Sequence, residues 1–512
     1  MAIEGRAAAR STDAVADAAV PAAVVRRRIG VDAGHDTYKW WALSCTSLGM
    51  LLATINSGTL VIALPALERS LHTSLLELVW VILSYMIAST VLVLSAGRFS
   101  DLFGRKRAYI AGFMLFALAS LGAGFAGDAT QLILWRVVQG IGGSLLFANA
   151  PAIVTDAFPS RQLGVAMGTN TMIAAVGLVL GPVLGGALVA ISWQWVFWFN
   201  VPLSIAGAVW AALVLHEMGR RDTQRGLDPL GSLSFLVGLT GFVFAISRGG
   251  LSGWADPLVI GGFIAAAVLL PVFVLIEARQ RAPMLDLSLF GNRLFSAACG
   301  AAFLNGLSRF ALMFVFVFYF QGPEGDSAIA AGLKLIPLAM GMLIASPLAG
   351  VIADRRGSRT LAAGGMLLSG VGLALMTTLQ VSSPYWQAAI WLFAVGVGSG
   401  MFNSPNTAAM MGAVPSHRRG VAAGVRTLIT NSGAVISIAF VLAVITAAVP
   451  KPVLFAIFSG LASGLSARQL EPFISNMHLA LWILAGVSVL GAAVCMLRPR
   501  AETEAGFSRI PA

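Results

Sequence analysis

Hydrophobic residues make up 58% of this 512-residue chain, and charged residues only 11%. Water-soluble domains carry about 25% charged residues, so most of the surface of this chain must face something other than water. The net charge of +11 would suit a nucleic-acid-binding protein, but the basic residues lie in short stretches between apolar runs, where lipid headgroups and membrane topology account for them. We therefore expect membrane lipids as neighbours and no nucleic-acid partner.

The first 38 residues are rich in alanine and are interrupted by charged residues, among them the run Arg26-Arg27-Arg28. They contain no continuous apolar core of the length found in a signal peptide. We predict that residues 1–38 form a disordered cytoplasmic tail. Residues 499–512 are predicted to form a second cytoplasmic tail.

Fourteen apolar runs follow, each close to the roughly 20 residues that a helix needs to cross the hydrocarbon core of a bilayer. They predict an all-α polytopic membrane protein. Their approximate limits are 40–64, 78–96, 108–126, 131–154, 163–190, 195–215, 230–247, 257–276, 295–320, 329–353, 360–380, 386–411, 421–448 and 477–497.

The distribution of basic residues predicts the orientation. An even number of spans places both termini on one side of the membrane. If that side is cytoplasmic, 25 of the 33 Lys and Arg residues lie in cytoplasmic segments and five lie on the outer side. This bias agrees with the positive-inside rule, so we expect a multi-pass protein of the cell membrane with both termini in the cytoplasm.

Two short loops, after spans 2 and 10, repeat a pattern of glycine, acid and base 253 residues apart. An acid at the end of one helix and bases at the start of the next can hold two helices in one conformational state, while glycine allows the tight turn. The alternative is that the bases only set topology. The candidate latch residues are Gly97, Asp101, Gly104, Arg105, Lys106 and Arg107 in the first loop and Asp354 in the second.

Span 4 carries Arg136 and Gln139 beside three glycines. A charged side chain inside a span is costly in lipid and usually faces a wet cavity or a partner, although an arginine near the interface can also extend toward water. We favour the first interpretation, which makes Arg136 and Gln139 candidates for the cavity or for ion coupling.

Span 5 has a glycine at every fourth position, at Gly177, Gly181 and Gly185, with Pro182 and Gly186 beside them. Small residues at this spacing let two helix backbones approach closely, and proline bends a helix. Generic packing would explain a single pair of glycines, whereas this tandem stripe is more specific.

These three motifs, in this order and on these spans, resemble the signature motifs of the major facilitator superfamily, and the glycine stripe resembles the one associated with its antiporters. The fourteen runs and the segments 193–202, 319–322 and 332–337 resemble the fourteen-span drug–proton antiporter branch. The resemblance covers about residues 40–500. It implies two six-helix bundles around a central cavity, at 39–220 and 286–498, with two inserted helices at 221–285. It also implies a monomeric secondary transporter that exports amphipathic small molecules, drugs included, in exchange for protons.

One position departs from that branch, which commonly has an acid in span 1. This chain has Asn56 there, and none of its Asp and Glu residues lies near the middle of any of the fourteen runs. Because asparagine cannot carry a proton, we expect proton coupling to be weaker or less conventional than in relatives that have the acid. The acids left within reach are Glu77, Asp101 and Asp156.

Arg309 lies near the middle of span 9, where a lone charge is a functional candidate by default. It favours, as an alternative to drug export, an exporter or flippase of a lipid or of an endogenous anionic metabolite. A membrane receptor or scaffold is the alternative outside transport. An ATP-driven pump is disfavoured because no GxxxxGK[ST] motif occurs. Scattered His, Cys and acidic residues predict no enzyme, no metal and no cofactor.

Overall fold

The computed structural model describes residues 37–159, 162–217, 228–280, 283, 285–381, 383–415, 419–447, 449–458 and 462–499. The predicted tails lie outside this part except for residues 37, 38 and 499. All regular secondary structure in the described part is helical. The helices are α1 (Tyr38–Leu71), α2 (Leu75–Phe103), α3 (Arg105–Gly124), α4 (Ala129–Ala157), α5 (Leu163–Ile191), α6 (Trp195–Trp198), α7 (Asn200–Val214), α8 (Pro229–Ser252), α9 (Pro257–Arg279), α10 (Arg293–Gln321), α11 (Ala328–Lys334), α12 (Ile336–Arg356), α13 (Ser358–Met376), α14 (Tyr385–Gly412), α15 (Arg419–Thr446), α16 (Lys451–Phe458) and α17 (Ala467–Met496), with short 3-10 turns at Leu287–Gly291 and Ala462–Gly464.

Twelve helical segments in the described part are long and apolar enough to cross a membrane. Helices α6 and α7 together form one of these segments, as do α11 and α12. Helices α5 and α14, with 29 and 28 residues, are not among the twelve. The chain is therefore a multi-span membrane protein, with twelve of the fourteen predicted spans supported by their length and composition.

The outward faces of the helices are apolar, as a bilayer requires. Helix α9 is the clearest case, because Leu258, Ile264, Val268 and Leu275 are each more than half exposed. In water such a continuous apolar face would be a binding surface or an aggregation site. In lipid it needs no further partner.

The helices pack in two groups that repeat the same pairings. In the N-terminal half, α1 packs on α5, α2 and α3 pack on α4, and α3 packs on α7. In the C-terminal half, α10 packs on α15, α12 and α13 pack on α14, and α13 packs on α17. Helices α8 and α9 pack on each other, and α8 also contacts α2 and α15, one from each half.

Glycine makes the same sharp turn in both halves. Gly104 lies between α2 and α3 with a φ of 105°, and Gly357 lies between α12 and α13 with a φ of 83°. Each amide donates to the carbonyl oxygen four residues earlier, Ser100 and Ala353 respectively, at 2.8 Å. Residues with a side chain rarely adopt this backbone conformation. The repeat seen in the sequence is therefore also a repeat in backbone geometry.

Helix α1 begins and α17 ends on one face of the molecule, which we call the termini side; the other face is the opposite side. On the opposite side α1 is longer than predicted, ending at Leu71 instead of residue 64. Leu64 and Leu67 are completely buried, so apolar packing continues the helix past Pro65. This extension places Glu68 inside a helix rather than in a loop.

Candidate functional site

The predicted latch loop contains an ion-pair network centred on Arg105. Its guanidinium nitrogens lie 3.1 Å from Oδ1 of Asp101 and 2.6 Å from Oδ2 of Asp156. The three side chains come from the start of α3, the end of α2 and the end of α4, so the network ties three helices together on the termini side. Asp156 was not predicted as part of the latch, because 51 residues separate it from Arg105.

The other residues of this loop have different surroundings. Lys106 Nζ donates to the carbonyl oxygens of Ala212, at 2.7 Å, and Leu215, at the end of α7. Arg107 is exposed. Gly97 lies inside α2 rather than in the turn, and a Cβ there would come no closer than 4.0 Å to its nearest neighbour. The side chain of Asp354 lies outside the described residues.

A second polar network is buried inside the N-terminal half. Arg136 is 1% exposed. Its Nε donates to the carbonyl oxygen of Val81 at 2.9 Å, and its Nη1 donates to Oε1 of Gln139. Gln139 Nε2 in turn donates to Oγ of Ser120 at 2.7 Å and to Oδ1 of Asn56 at 3.3 Å. The three residues predicted independently from spans 1 and 4 therefore meet in one network.

Asn56 joins three helices of this half, namely α1, α4 and α7. Its Oδ1 also accepts a hydrogen bond from Nδ2 of Asn200 on α7 at 3.3 Å. Its own Nδ2 is buried and has no hydrogen-bond partner among the described residues. The positive charge of Arg136 also lies 4.4 Å from the ring centre of Tyr85. The described contacts of Arg136 are all with neutral groups. The network can therefore orient polar groups, but it contains no carboxylate, and Asn56 cannot take up a proton.

The glycine stripe of α5 lets this helix lie directly against α1. A Cβ at Gly181 would lie 2.8 Å from the Cα of Gly58, and one at Gly185 would lie 2.7 Å from the Cα of Thr59. At Gly177 it would collide with the side chain of Thr54. Because two of these obstacles are backbone atoms, a larger residue cannot be fitted without separating the helices.

The same segment of α5 also contacts the C-terminal half. A Cβ at Gly186 would lie 2.6 Å from the Cα of Ile329 on α11. One turn along α11, a Cβ at Gly332 would collide with the carbonyl oxygen of Pro182. On the opposite side, this part of α5 therefore contacts both α1 of its own half and α11 of the C-terminal half.

Arg309 is not part of either network. It lies on α10, partly buried, with its guanidinium carbon 4.4 Å from the ring centre of Phe310. Its Nε is buried and has no hydrogen-bond partner among the described residues. A second arginine, Arg426 on α15, is also partly buried. Neither of them forms an ion pair within the part of the chain that the structure describes.

A charged cluster that the sequence analysis missed lies on the opposite side. Lys334 Nζ is 2.5 Å from carboxylate oxygens of both Glu324 and Asp326, in the loop between α10 and α11. The rings of Phe320 and Tyr385 lie 5.2 and 5.6 Å from the same nitrogen. Burial and the neighbouring Asp326 raise the pKa of Glu324 above its ordinary value, although Lys334 opposes this. The signal was two acids in a six-residue loop followed by a lysine at the end of the next, short helix.

Known proteins resemble the chain along most of its length. It is 28% identical to the Streptomyces glaucescens tetracenomycin C resistance and export protein, over 76% of this chain and 72% of that protein. It is 30% identical to the Mycobacterium tuberculosis multidrug resistance protein Stp, over 79% of this chain and 75% of that protein. In fold it resembles the crystal structure of a bacterial homologue of the human lysosomal transporter Spinster, with a TM-score of 0.62 and 17% identity, over 91% of this chain and all of that one.

The family model for the Major Facilitator Superfamily matches residues 46–281 and 298–510. Members of this family are transporters and not enzymes. With the repeated helix packing and the paired glycine turns, this match shows that the chain belongs to the Major Facilitator Superfamily.

Proposed function

We propose that this transporter exports amphipathic small molecules, including antibiotics or other drugs, by alternating access. The observation that carries the proposal is the likeness along most of the chain to proteins named for antibiotic export and multidrug resistance. The packing supports it, because the two halves contact each other through backbone and apolar surfaces that can part without breaking covalent or metal links. Examples are the Gly186–Ile329 and Pro182–Gly332 contacts.

In this proposal α5 and α14 also cross the membrane, which gives fourteen spans. Residues 39–220 and 286–498 form the two moving bundles, and residues 221–285 carry the two inserted helices. The termini side faces the cytoplasm of the cell and the chain works as a monomer, with Lys and Arg on the termini side setting the orientation.

Protons are the proposed coupling ion, with the ion pair of Arg105 acting as a latch on the termini side and the Asn56 network lining the transport path. The test uses purified protein in liposomes. Substrate counterflow without any gradient is expected for a panel of cationic and neutral amphiphiles, and an imposed pH gradient is expected to drive net transport. Absence of counterflow for every compound would contradict export of this class.

A second candidate is export or flipping of an anionic metabolite or lipid, and Arg309 favours it. A mid-span arginine costs about 2.5 to 3.5 kcal/mol even on the translocon scale, and Arg309 retains a buried donor without a partner in the described part. An anionic group in the transport path would relieve that cost. The same counterflow panel separates the two candidates when anionic amphiphiles are included.

A further inference from the structure

Glu68 is a buried carboxylate that neither the motifs nor the latch explains. It lies in the last turn of α1 and is 3% exposed. Both of its carboxylate oxygens are buried and have no hydrogen-bond partner among the described residues. Its neighbours on the helix, Leu64 and Leu67, belong to the largest apolar cluster of the described structure.

Two other carboxylates in the described part are as deeply buried, and both are held by the backbone. Asp228 accepts a hydrogen bond from the amide of Gly231 at 2.9 Å, and Glu277 accepts one from the amide of Leu285 at 3.1 Å. Backbone N–H donors stabilise an ionised carboxylate. Glu68 has no such donor in the part of the chain that the structure describes, and burying an ionised group without partners is costly. The neutral acid, with a bound proton, is therefore the form that fits this site.

A contact between the two halves lies on the same helix as Glu68, less than two turns away. Six residues earlier on α1, the carbonyl oxygen of Ile62 accepts a hydrogen bond from Nε2 of Gln321 on α10 at 3.2 Å. The surrounding apolar cluster combines α1 residues from Leu60 to Leu67 with α10 residues from Phe314 to Phe320. Separation of the halves on the opposite side would break this contact and change what surrounds the end of α1. Water reaching Glu68 would then favour the ionised form.

We propose that Glu68 is a proton-binding site whose occupation is linked to closure of the opposite side. The carboxylate takes up a proton from the solution on that side while the halves are apart, and the acid retains it when they close. Glu68 thus supplies, on the same helix, the carboxyl group that Asn56 lacks. This inference rests on the proposed alternating-access function, but its first test below does not require transport.

Other charged groups act on this end of α1 and must be separated from Glu68 in any test of pH dependence. Arg69 lies beside Glu68 on α1 and His72 directly follows the helix; a positive charge on either opposes proton binding. The elements that contact α1 here carry further charges, namely Glu77 on α2, the cluster of Glu324, Asp326 and Lys334 between α10 and α11, and Lys451 on α16.

The first test detects the proton itself by infrared spectroscopy of the purified full-length protein. A protonated carboxylic acid has a carbonyl stretch that a carboxylate lacks. We expect this band near neutral pH in the wild type and in the matched control Glu77→Gln, and its loss in Glu68→Gln. Equal bands in wild type and Glu68→Gln would show that Glu68 carries no proton and would overturn the proposal.

The second test measures closure. A cysteine replacing Ile62, which is completely buried at the contact between the halves, is probed with a water-soluble thiol reagent in liposomes. We expect labelling to rise severalfold as the pH is raised. In the Glu68→Gln background, which mimics the protonated acid, labelling should stay low at every pH, while Glu68→Asp should restore the pH dependence and show that the helix still folds.

Two outcomes of the second test contradict the proposal. One is an unchanged pH dependence in Glu68→Gln. The other is its loss in Glu324→Gln instead, which would place the titrating group in the loop between α10 and α11. Lack of substrate counterflow in the wild type would count against drug export alone, because neither readout here depends on a transported compound.

Discussion

At the scale of single residues, Asn56 occupies a position that would also suit an acid. Its Oδ1 accepts two hydrogen bonds, from Gln139 and Asn200, while its amide nitrogen has no described partner. Asn56→Asp keeps an oxygen that can accept both hydrogen bonds and removes the donor that has no described partner. We expect the variant to fold and to show stronger transport driven by a pH gradient than the wild type, measured in liposomes with and without the gradient. Unchanged dependence on the gradient would mean that position 56 takes no part in coupling.

Asp101 and Asp156 both form ion pairs with Arg105, so replacing one of them leaves the other pair in place. The pairs are partly exposed, and an exposed ion pair contributes about 0.2 to 1 kcal/mol. Asp101→Asn should therefore shift the conformational equilibrium by up to about fivefold and reduce the transport rate, while membrane insertion is unchanged. The double variant Asp101→Asn/Asp156→Asn should lose more than either single variant. Normal transport rates in a correctly inserted double variant would exclude the latch.

The sequence predicted individual residues of the site but not the hydrogen bonds between them. Arg136, Gln139 and Asn56 each stood out because a charge or amide inside an apolar run needs a reason. Their hydrogen bonds to Ser120 and Asn200 depend on the packing of α3 and α7, which no local pattern encodes. Glu68 was missed for a different reason, since the first predicted span ended at residue 64, whereas tertiary packing extends α1 to Leu71.

At the scale of helices and loops, the α1–α5 contact depends on glycine at position 181. A Cβ there would lie 2.8 Å from the backbone of Gly58, so Gly181→Ala should force the helices apart. We expect a loss of about 1 to 3 kcal/mol, seen as a lower thermal transition in detergent. The control is Gly261→Ala on α9, where nothing lies within 4 Å of the added Cβ and the better helix propensity of alanine should make the change neutral or slightly stabilising.

The loop between α10 and α11 should become sensitive to pH when Lys334 is removed. Lys334→Gln leaves Glu324 and Asp326 together without their cation, at a cost of about 1 to 3 kcal/mol near neutral pH. The pKa of Glu324 is already raised in the folded protein, and losing Lys334 raises it further. A raised carboxyl pKa means that stability is present at low pH and is lost as the pH rises through that pKa.

Thermal transitions of the purified variants over a range of pH measure this effect. The deficit of Lys334→Gln relative to the wild type should shrink as the pH falls toward about 4, where the carboxyls are protonated. Lys334→Arg keeps the charge and should show little deficit at any pH. A deficit in Lys334→Gln that does not change with pH would mean that packing against Phe320 and Tyr385, rather than charge, holds the loop.

At the scale of the whole molecule, the two halves repeat one arrangement with different chemistry. The backbone turns at Gly104 and Gly357 match, and the helix pairings match, which the repeated loop in the sequence already indicated. The buried arginine network is not repeated in the same form. Gly142 of α4 packs on α3 as Gly398 of its counterpart α14 packs on α13, and this match puts Leu392 and Val395 where α4 has Arg136 and Gln139. The sequence could thus predict the symmetry of the scaffold, while the asymmetry that matters for transport follows from individual side chains.

The last prediction concerns movement of the halves. Alternating access requires the Ile62–Gln321 contact to open and close in each cycle, because it joins α1 to α10 across the halves. Cysteines at 62 and 321, joined by a short bifunctional thiol reagent, should abolish transport, and a reducible version of the reagent should restore it on reduction. The control pair replaces Ser47 and Asn170, whose side chains are hydrogen-bonded at 2.9 Å between α1 and α5 of the same half. Cross-linking this pair should leave transport largely intact, since the two helices move together. Sustained transport by a fully cross-linked 62–321 variant would rule out separation of the halves at this point, and with it the coupling assigned to Glu68.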